Sequence, residues 1–288
     1  MIGESVRGSL HIRKNMPNQD AINWYPKREE TKGLPLILAV SDGHGSSKCL
    51  RSDKGSKLAV DISIIILSQF FNSNLNISNP SFVKRSAEED LPRALVEEWS
   101  TAINTDIEKC PFLPSELDTL LVSENRYIRD EVLKNPLIAY GATLLTVLVT
   151  ESYIIYLQLG DGDIINVSDS GEVTSPLPED KRLFANETTS LCSNKAWQDF
   201  RFSFQSIVDN PPALILLSTD GYSNSFTNKR DFLKVGSDIL EIIRSDGLKY
   251  INENINEWLN EASVKGSGDD ITLGIIYRDI NIIINGGK

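Results

Sequence analysis

The chain has 288 residues, 40% of them hydrophobic, enough for a real core and too many for global disorder. Its formal net charge of -11 would be repelled by a phosphate backbone, so nucleic acid is not an expected partner. Residues 1–10 lack the apolar core of a secretion signal, and the longest apolar stretch, around 62–67, is short and interrupted by Asp61, Ser63 and Ser68, so no membrane span is expected. Cys49, Cys110 and Cys192 are odd in number and show no CxxC spacing, which points to free thiols and a cytoplasmic location.

In chain order, the apolar run 36–41 reads as a buried strand. A helix over 54–71 carries Leu58, Ile62, Ile65 and Ile66 at helical spacing, a core-facing stripe. A second helix over 87–108 would hold Pro92 in its first turn, where a missing N–H costs little. Pro111 and Pro114 then separate it from a third helix over 115–134, giving an αα-hairpin. Strands over 142–149, 153–159 and 163–168 have very short links, which implies antiparallel hairpins. Residues 170–210 are less regular and rich in Ser, Asn, Thr and Asp, with Trp197 and Phe200-Arg201-Phe202 among them; they read either as a flap-like insertion or as an ordinary long loop. A strand over 213–219, helices over 229–245 and 248–262, and a strand over 271–277 complete the chain. Strands and helices in blocks indicate an α+β domain with helices packed on sheets, spanning residues 1–288.

The chemistry sits at strand ends. The first strand runs into Asp42-Gly43-His44-Gly45. Leu157-Gln158-Leu159 runs into Gly160-Asp161-Gly162-Asp163, and 213–219 runs into Asp220-Gly221. Asp269-Asp270 precedes the last strand. One Asp-Gly is an ordinary turn. Four acidic breaks, each beside an apolar strand, are a set that can hold hard cations through oxygen, and the glycines allow a sharp turn with an open carbonyl. No GxxxxGK[ST], GxGxxG or GxSxG pattern is present, so a nucleotide loop or a serine-hydrolase elbow has no support.

In this order the motifs resemble metal-dependent serine/threonine protein phosphatases of the 2C type. Asp42-Gly43-His44-Gly45 matches the first signature and Gly141-Ala142-Thr143 the start of a core strand. Gly160-Asp161-Gly162-Asp163 resembles the Gly-Asp-Ser-Arg turn, Ser218-Thr219-Asp220-Gly221 the Ser-Asp-Gly signature, and Asp269-Asp270-Ile271-Thr272 the Asp-Asn-x-Thr signature. The resemblance runs from about Gly8 to Tyr277 and suggests a divergent, bacterial-like branch. It implies two antiparallel sheets packed face to face and flanked by helices, an α-β-β-α sandwich.

It also implies roles. Two Mn²⁺ or Mg²⁺ ions, with room for a third, would activate a bridging water for direct attack on phosphoserine or phosphothreonine in a protein. Asp42 would bridge both ions, Asp220 and Asp269 would complete the first set of ligands, and the Gly43 carbonyl would serve the second ion. Asp161 would stand near a weaker third ion, Asp20 would support the ligands from behind, and His44 would be the general acid. Where the family has Glu, this chain has Gln19, a neutral candidate ligand; where the family has an Arg that grips phosphate, it has Asn15, with Arg13 and His11 as candidate substitutes. A phosphoprotein substrate, its cognate Ser/Thr kinase as a partner, and a monomeric state are expected. The motifs leave open a binding module without turnover and a hydrolase for a small phosphorylated metabolite.

Overall fold

The computed structural model describes residues 1–27, 33–77, 79–122, 127–178, 188–207 and 211–278. Among these residues, ten strands form two antiparallel sheets. The first sheet has the order β1 (Ile2–Val6), β10 (Ile271–Tyr277), β9 (Leu214–Ser218), β6 (Asp163–Val167), β7 (Val173–Thr174). The second has the order β2 (Ala21–Tyr25), β3 (Leu36–Ser41), β4 (Leu144–Val149), β5 (Tyr153–Leu159), β8 (Arg201–Ser206). Leu38, Val40, Leu145 and Tyr156 of the second sheet pack against Ile164, Ile215, Leu217 and Ile276 of the first. The other faces are covered by helices. Helices α2 (Ser52–Asn74) and α3 (Pro80–Lys109) lie on the second sheet, and α7 (Lys229–Asp246) and α8 (Leu248–Lys265) on the first. This is the expected sandwich. It explains the unbroken apolar run of β3, where Ile37 and Ala39 face the helices and Leu38 and Val40 face the opposite sheet.

Several local expectations are corrected. The helix expected over 54–71 spans 52–74, and Ile65 is exposed rather than core-facing. Its buried face is built from Gly55, Ser56, Ala59, Ser63, Leu67 and Phe70, small at one end because backbone passes close there. Pro92 lies in the interior of α3, not its first turn, because the helix starts at Pro80 with Asn79 capping the Ser81 N–H at 3.0 Å. The buried stripe Val83, Ala87, Leu91, Leu95, Trp99 and Ile103 recurs every fourth residue straight through it, so packing carries the helix past a residue that lacks a hydrogen-bond donor. The helix expected over 115–134 is α4 (Pro114–Val122) and α5 (Tyr127–Lys134), with 123–126 outside the described residues. The helical hairpin is formed by α2 and α3 rather than by α3 and α4.

The hairpin β4–β5 is as expected, but β5 and β6 do not pair. Residues 160–162 carry the chain from one sheet to the other. The short strands β1, β2, β7 and β8 and the short helices α1 (Ser9–Lys14) and α6 (Asp220–Ser223) were not anticipated. Strand β8 lies inside the 170–210 segment, while 179–187 and 208–210 fall outside the described residues.

Helix α2 crosses the 3₁₀ turn Pro136–Tyr140 at Gly55. A Cβ on Gly55 would collide with the Tyr140 carbonyl, and Gly55 also accepts the Trp99 indole N–H at 3.0 Å. Alanine would add up to about 1 kcal/mol of helix propensity, but overpacking against backbone costs about 1–3 kcal/mol or more. Gly55→Ala should therefore lower stability in urea unfolding; an unchanged midpoint would refute this packing.

Candidate metal centre

The antiparallel order brings the ends of β3, β5 and β9 and the starts of β2, β6 and β10 to one edge of the sandwich. The polar residues following or preceding those strands meet there. Asp42, Gly43, His44, Asp161, Asp220, Asp269, Asp270, Gln19, His11, Gly45 and Thr188 line a cavity of about 230 Å³. Of the residues expected from the sequence, only Asp20 and Arg13 are not on its wall: Asp20 is buried behind it and Arg13 is exposed on α1.

Backbone hydrogen bonds fix the wall. The Asp42 N–H donates to Thr143 Oγ1 (2.9 Å) and its carbonyl accepts from the Thr143 N–H (2.8 Å). The Gly43 N–H donates to the Gln19 carbonyl at 3.1 Å, and the His44 N–H to the Gly141 carbonyl at 3.0 Å. Asp20 accepts the hydroxyls of Thr219 (2.7 Å) and Thr272 (2.8 Å), which ties together the segments bearing Gln19, Asp220 and Asp269. Thr188 Oγ1 donates to Asp161 Oδ2 at 2.5 Å, and Thr189 accepts the Gly160 N–H at 2.9 Å, so residues 188–189 are anchored on the Asp161 turn.

Two functional groups were not assigned from the sequence. Thr188 carries no signal outside its fold context. Asp270 was visible beside Asp269, but its role is an anchor: it accepts the N–H groups of Gly8 (2.6 Å) and Gln19 (2.7 Å) and faces His11 Nδ1 at 2.8 Å.

The electrostatics are one-sided. Burial, then the charges of Asp20, Asp220 and Asp161, pushes the Asp42 carboxyl well above its ordinary range. Burial does the same to Asp20 and raises Asp220. Burial also pulls His44 below the usual imidazole value, against the opposing charge of Asp161. Among the described residues, no Lys or Arg is on the cavity wall. Gln19 donates its amide N–H to Ser52 Oγ at 2.6 Å, while its Oε1 is buried and accepts no hydrogen bond from the described residues. Clustered carboxylates and an orphaned carbonyl oxygen form an oxygen-rich donor set that suits divalent cations.

Gly141 separates His44 from the two thiols behind it. A Cβ there would lie 2.9 Å from His44 Cδ2, 3.2 Å from Cys49 Sγ and 3.3 Å from Cys192 Sγ. Gly141→Ala should displace the imidazole and, with His44 as the general acid expected from the family resemblance, lower kcat by roughly 10–100-fold, the cost of moving such a group by about 1 Å. Mn²⁺ affinity should stay the same, as calorimetry would show; an unchanged kcat would exclude a role for His44 in turnover.

A protein-family model described as protein phosphatase 2C matches residues 7–260. No curated protein matches the chain. Among solved structures, a bacterial serine phosphatase is 14% identical with a TM-score of 0.57, covering 96% of this chain and 97% of that one. The catalytic domain of the serine/threonine phosphatase PstP in complex with two manganese ions is 16% identical, with a TM-score of 0.54 and 95% of each chain covered. Stp1 from Staphylococcus aureus is 14% identical, with a TM-score of 0.55 and coverage of 96% and 94%. At these identities the structures share the fold with this chain, and the family assignment rests on the match over residues 7–260. The chain belongs to the protein phosphatase 2C family.

Proposed function

We propose that the protein hydrolyses phosphoserine and phosphothreonine in proteins, using divalent cations held at the acidic edge of the sandwich. The observation that carries this reading is the convergence of Asp42, Asp161, Asp220 and Asp269 with His44 on one cavity. Among the described residues a phosphate dianion meets no Lys or Arg on that wall, so ions that compensate the carboxylates would favour its binding. When bound, Mn²⁺ or Mg²⁺ would supply Lewis-acid charge on the phosphoryl oxygens and an activated water for direct attack.

The chain's own residues do the rest. Asp42, Asp220 and Asp269 would hold the ions with the Gly43 carbonyl, and the orphaned Gln19 Oε1 fits an ion or its water. Asp161 would serve a further, weaker position, steadied by Thr188. His44, fixed through its backbone, would give its proton to the departing serine or threonine oxygen. The burial that lowers its pKa makes the protonated form a stronger acid. General acid catalysis contributes typically 10²–10⁴-fold, about 3–5 kcal/mol. Thr188 and Thr189 couple the stretch between β7 and β8 to the Asp161 turn, which supports reading that part of 170–210, rather than the whole segment, as the flap-like insertion. The opposing partner would be the Ser/Thr kinase that makes the phosphoprotein.

Retention of every acidic candidate on the wall argues against a binding module without turnover. Purified protein with Mn²⁺ should release phosphate from a phosphothreonine peptide faster than from a small phosphomonoester, and a chelator should stop it. No release with either metal at several pH values would sink the proposal; preference for the small ester would move the substrate class.

A further inference from the structure

His11 occupies the cavity in an orientation that its neighbours dictate. Its Nδ1 is 2.8 Å from Asp270 Oδ2. Asp270 is 3% exposed and also accepts the N–H groups of Gly8 at Oδ1 and Gln19 at Oδ2. A buried carboxylate at hydrogen-bond distance favours the tautomer with its proton on Nδ1 and its lone pair on Nε2, the arrangement by which carboxylates orient metal-ligating histidines. That Nε2 faces Asp269 Oδ1 at 3.7 Å, and the three side chains offer ligand atoms all within 4.8 Å of one another. Two ligands each about 2.1 Å from one ion, at octahedral or tetrahedral angles, lie roughly 3.0–3.4 Å apart, so a small closing movement seats both. Gln19, 7% exposed and bonded through its N–H to the same Asp270, is on the same cavity wall, and its buried Oε1 accepts no hydrogen bond from the described residues.

We propose that His11 Nε2 is a direct ligand of the ion bound by Asp269, giving this centre a nitrogen donor. The inference rests on the metal-dependent reading above. It assigns His11 to the metal rather than to the substrate phosphate: an Nε2 lone pair offers a phosphate oxygen no hydrogen-bond donor. An imidazole ligand suits transition metals, whereas Mg²⁺ selects oxygen. The centre therefore favours Mn²⁺ over Mg²⁺ through His11.

The chain contains only two histidines, His11 and His44, which makes the test clean. Metal-free full-length protein is loaded with Mn²⁺ and read by pulsed electron paramagnetic resonance, with natural and ¹⁵N-labelled histidine. The wild type and His44→Ala should show the nitrogen coupling of a directly bound imidazole, altered by the label, and His11→Gln should lose it. By calorimetry His11→Gln should weaken Mn²⁺ binding by about 10-fold or more, with a smaller change for Mg²⁺. If His11→Gln does not fold, the labelled wild type and His44→Ala still decide the matter. Bound Mn²⁺ that weakens in Asp42→Asn but shows no histidine coupling overturns this assignment alone. Absence of Mn²⁺ binding in the wild type overturns the metal-dependent reading and this assignment with it.

Discussion

Replacing Asp42 with Asn should reduce Mn²⁺-dependent phosphate release by at least ~10³-fold, a loss of about 4 kcal/mol of transition-state stabilisation, and should at the same time make the metal-free protein more stable. The two effects share one cause. Asp42 follows β3 and is surrounded by carboxylates; burial, then Asp20, Asp220 and Asp161, raises its pKa well above the usual value. For such a group the folded state holds the proton more tightly than the unfolded chain. Stability is then fully present below the unfolded pKa and lost as pH rises through the folded one. Metal-free wild type should therefore lose stability as pH rises above the ordinary carboxylate range. Asn removes the charge and leaves the backbone bonds to Thr143 in place. Melting curves at several pH values, with chelator and with Mn²⁺, read both effects. With chelator, the variant should melt above the wild type by a margin that widens with pH. With Mn²⁺ at a hundred times its Kd, the wild type should gain about 2.7 kcal/mol and the variant little. Turnover undiminished in Asp42→Asn would remove Asp42 from the centre.

The elements legible in the sequence are those whose burial is uniform. Strands β3, β4, β5, β9 and β10 are apolar on both faces because each is sandwiched between a sheet and a helical layer, and they read as unbroken runs. The missed strands β1, β2 and β8 lie at sheet edges, where only alternate residues need burial; Phe202 and Phe204 in β8 show that alternation faintly. The β5–β6 link misled because a short connection usually closes a hairpin, whereas here Gly160, at φ +110° and packed on Thr143, turns the chain between sheets. Ile65 misled because periodicity marks an apolar stripe without saying that small residues own the close contact. At the site, the acidic strand ends were legible because Asp-Gly breaks after strands are local patterns. Asp270's bonds to Gly8, His11 and Gln19 span more than 250 positions in sequence, and no local pattern carries them.

Arg51 sets the largest expected stability effect. It ends the loop that begins at Asp42 and lies against the start of α2, with a side chain only 6% exposed. All five of its side-chain N–H donors are used. Nε and Nη2 grip the two Glu116 oxygens at 2.8 Å each, Nη1 reaches the Cys110 carbonyl (2.7 Å) and Tyr140 Oη (2.8 Å), and Nη2 also reaches the Pro111 carbonyl at 3.1 Å. The guanidinium also lies 4.5 Å from the Phe112 ring centroid, and the Arg51 N–H donates to the Ala139 carbonyl at 2.7 Å. One side chain thus joins the loop that begins at Asp42, the α3–α4 connection and the turn before β4. Arg51→Ala leaves Glu116 and two carbonyls without their partner, and should cost about 3–5 kcal/mol, a large part of the 5–15 kcal/mol typical of a folded domain. Lysine should not rescue it, because an ammonium cannot reproduce the planar fork. The Arg51 hydrogen bond, opposed by burial, holds the Glu116 carboxyl below its ordinary value. The pair's contribution is therefore present above the unfolded Glu pKa and lost as pH falls through the folded one. Urea unfolding at neutral and acid pH should show the gap between wild type and Arg51→Ala narrowing toward acid. A double variant with Glu116→Ala should be less destabilised than the two single losses combined. Additive losses, or a gap that does not narrow with acid, would mean that Arg51 acts through packing on Phe112 and Tyr140 rather than through its bond to Glu116.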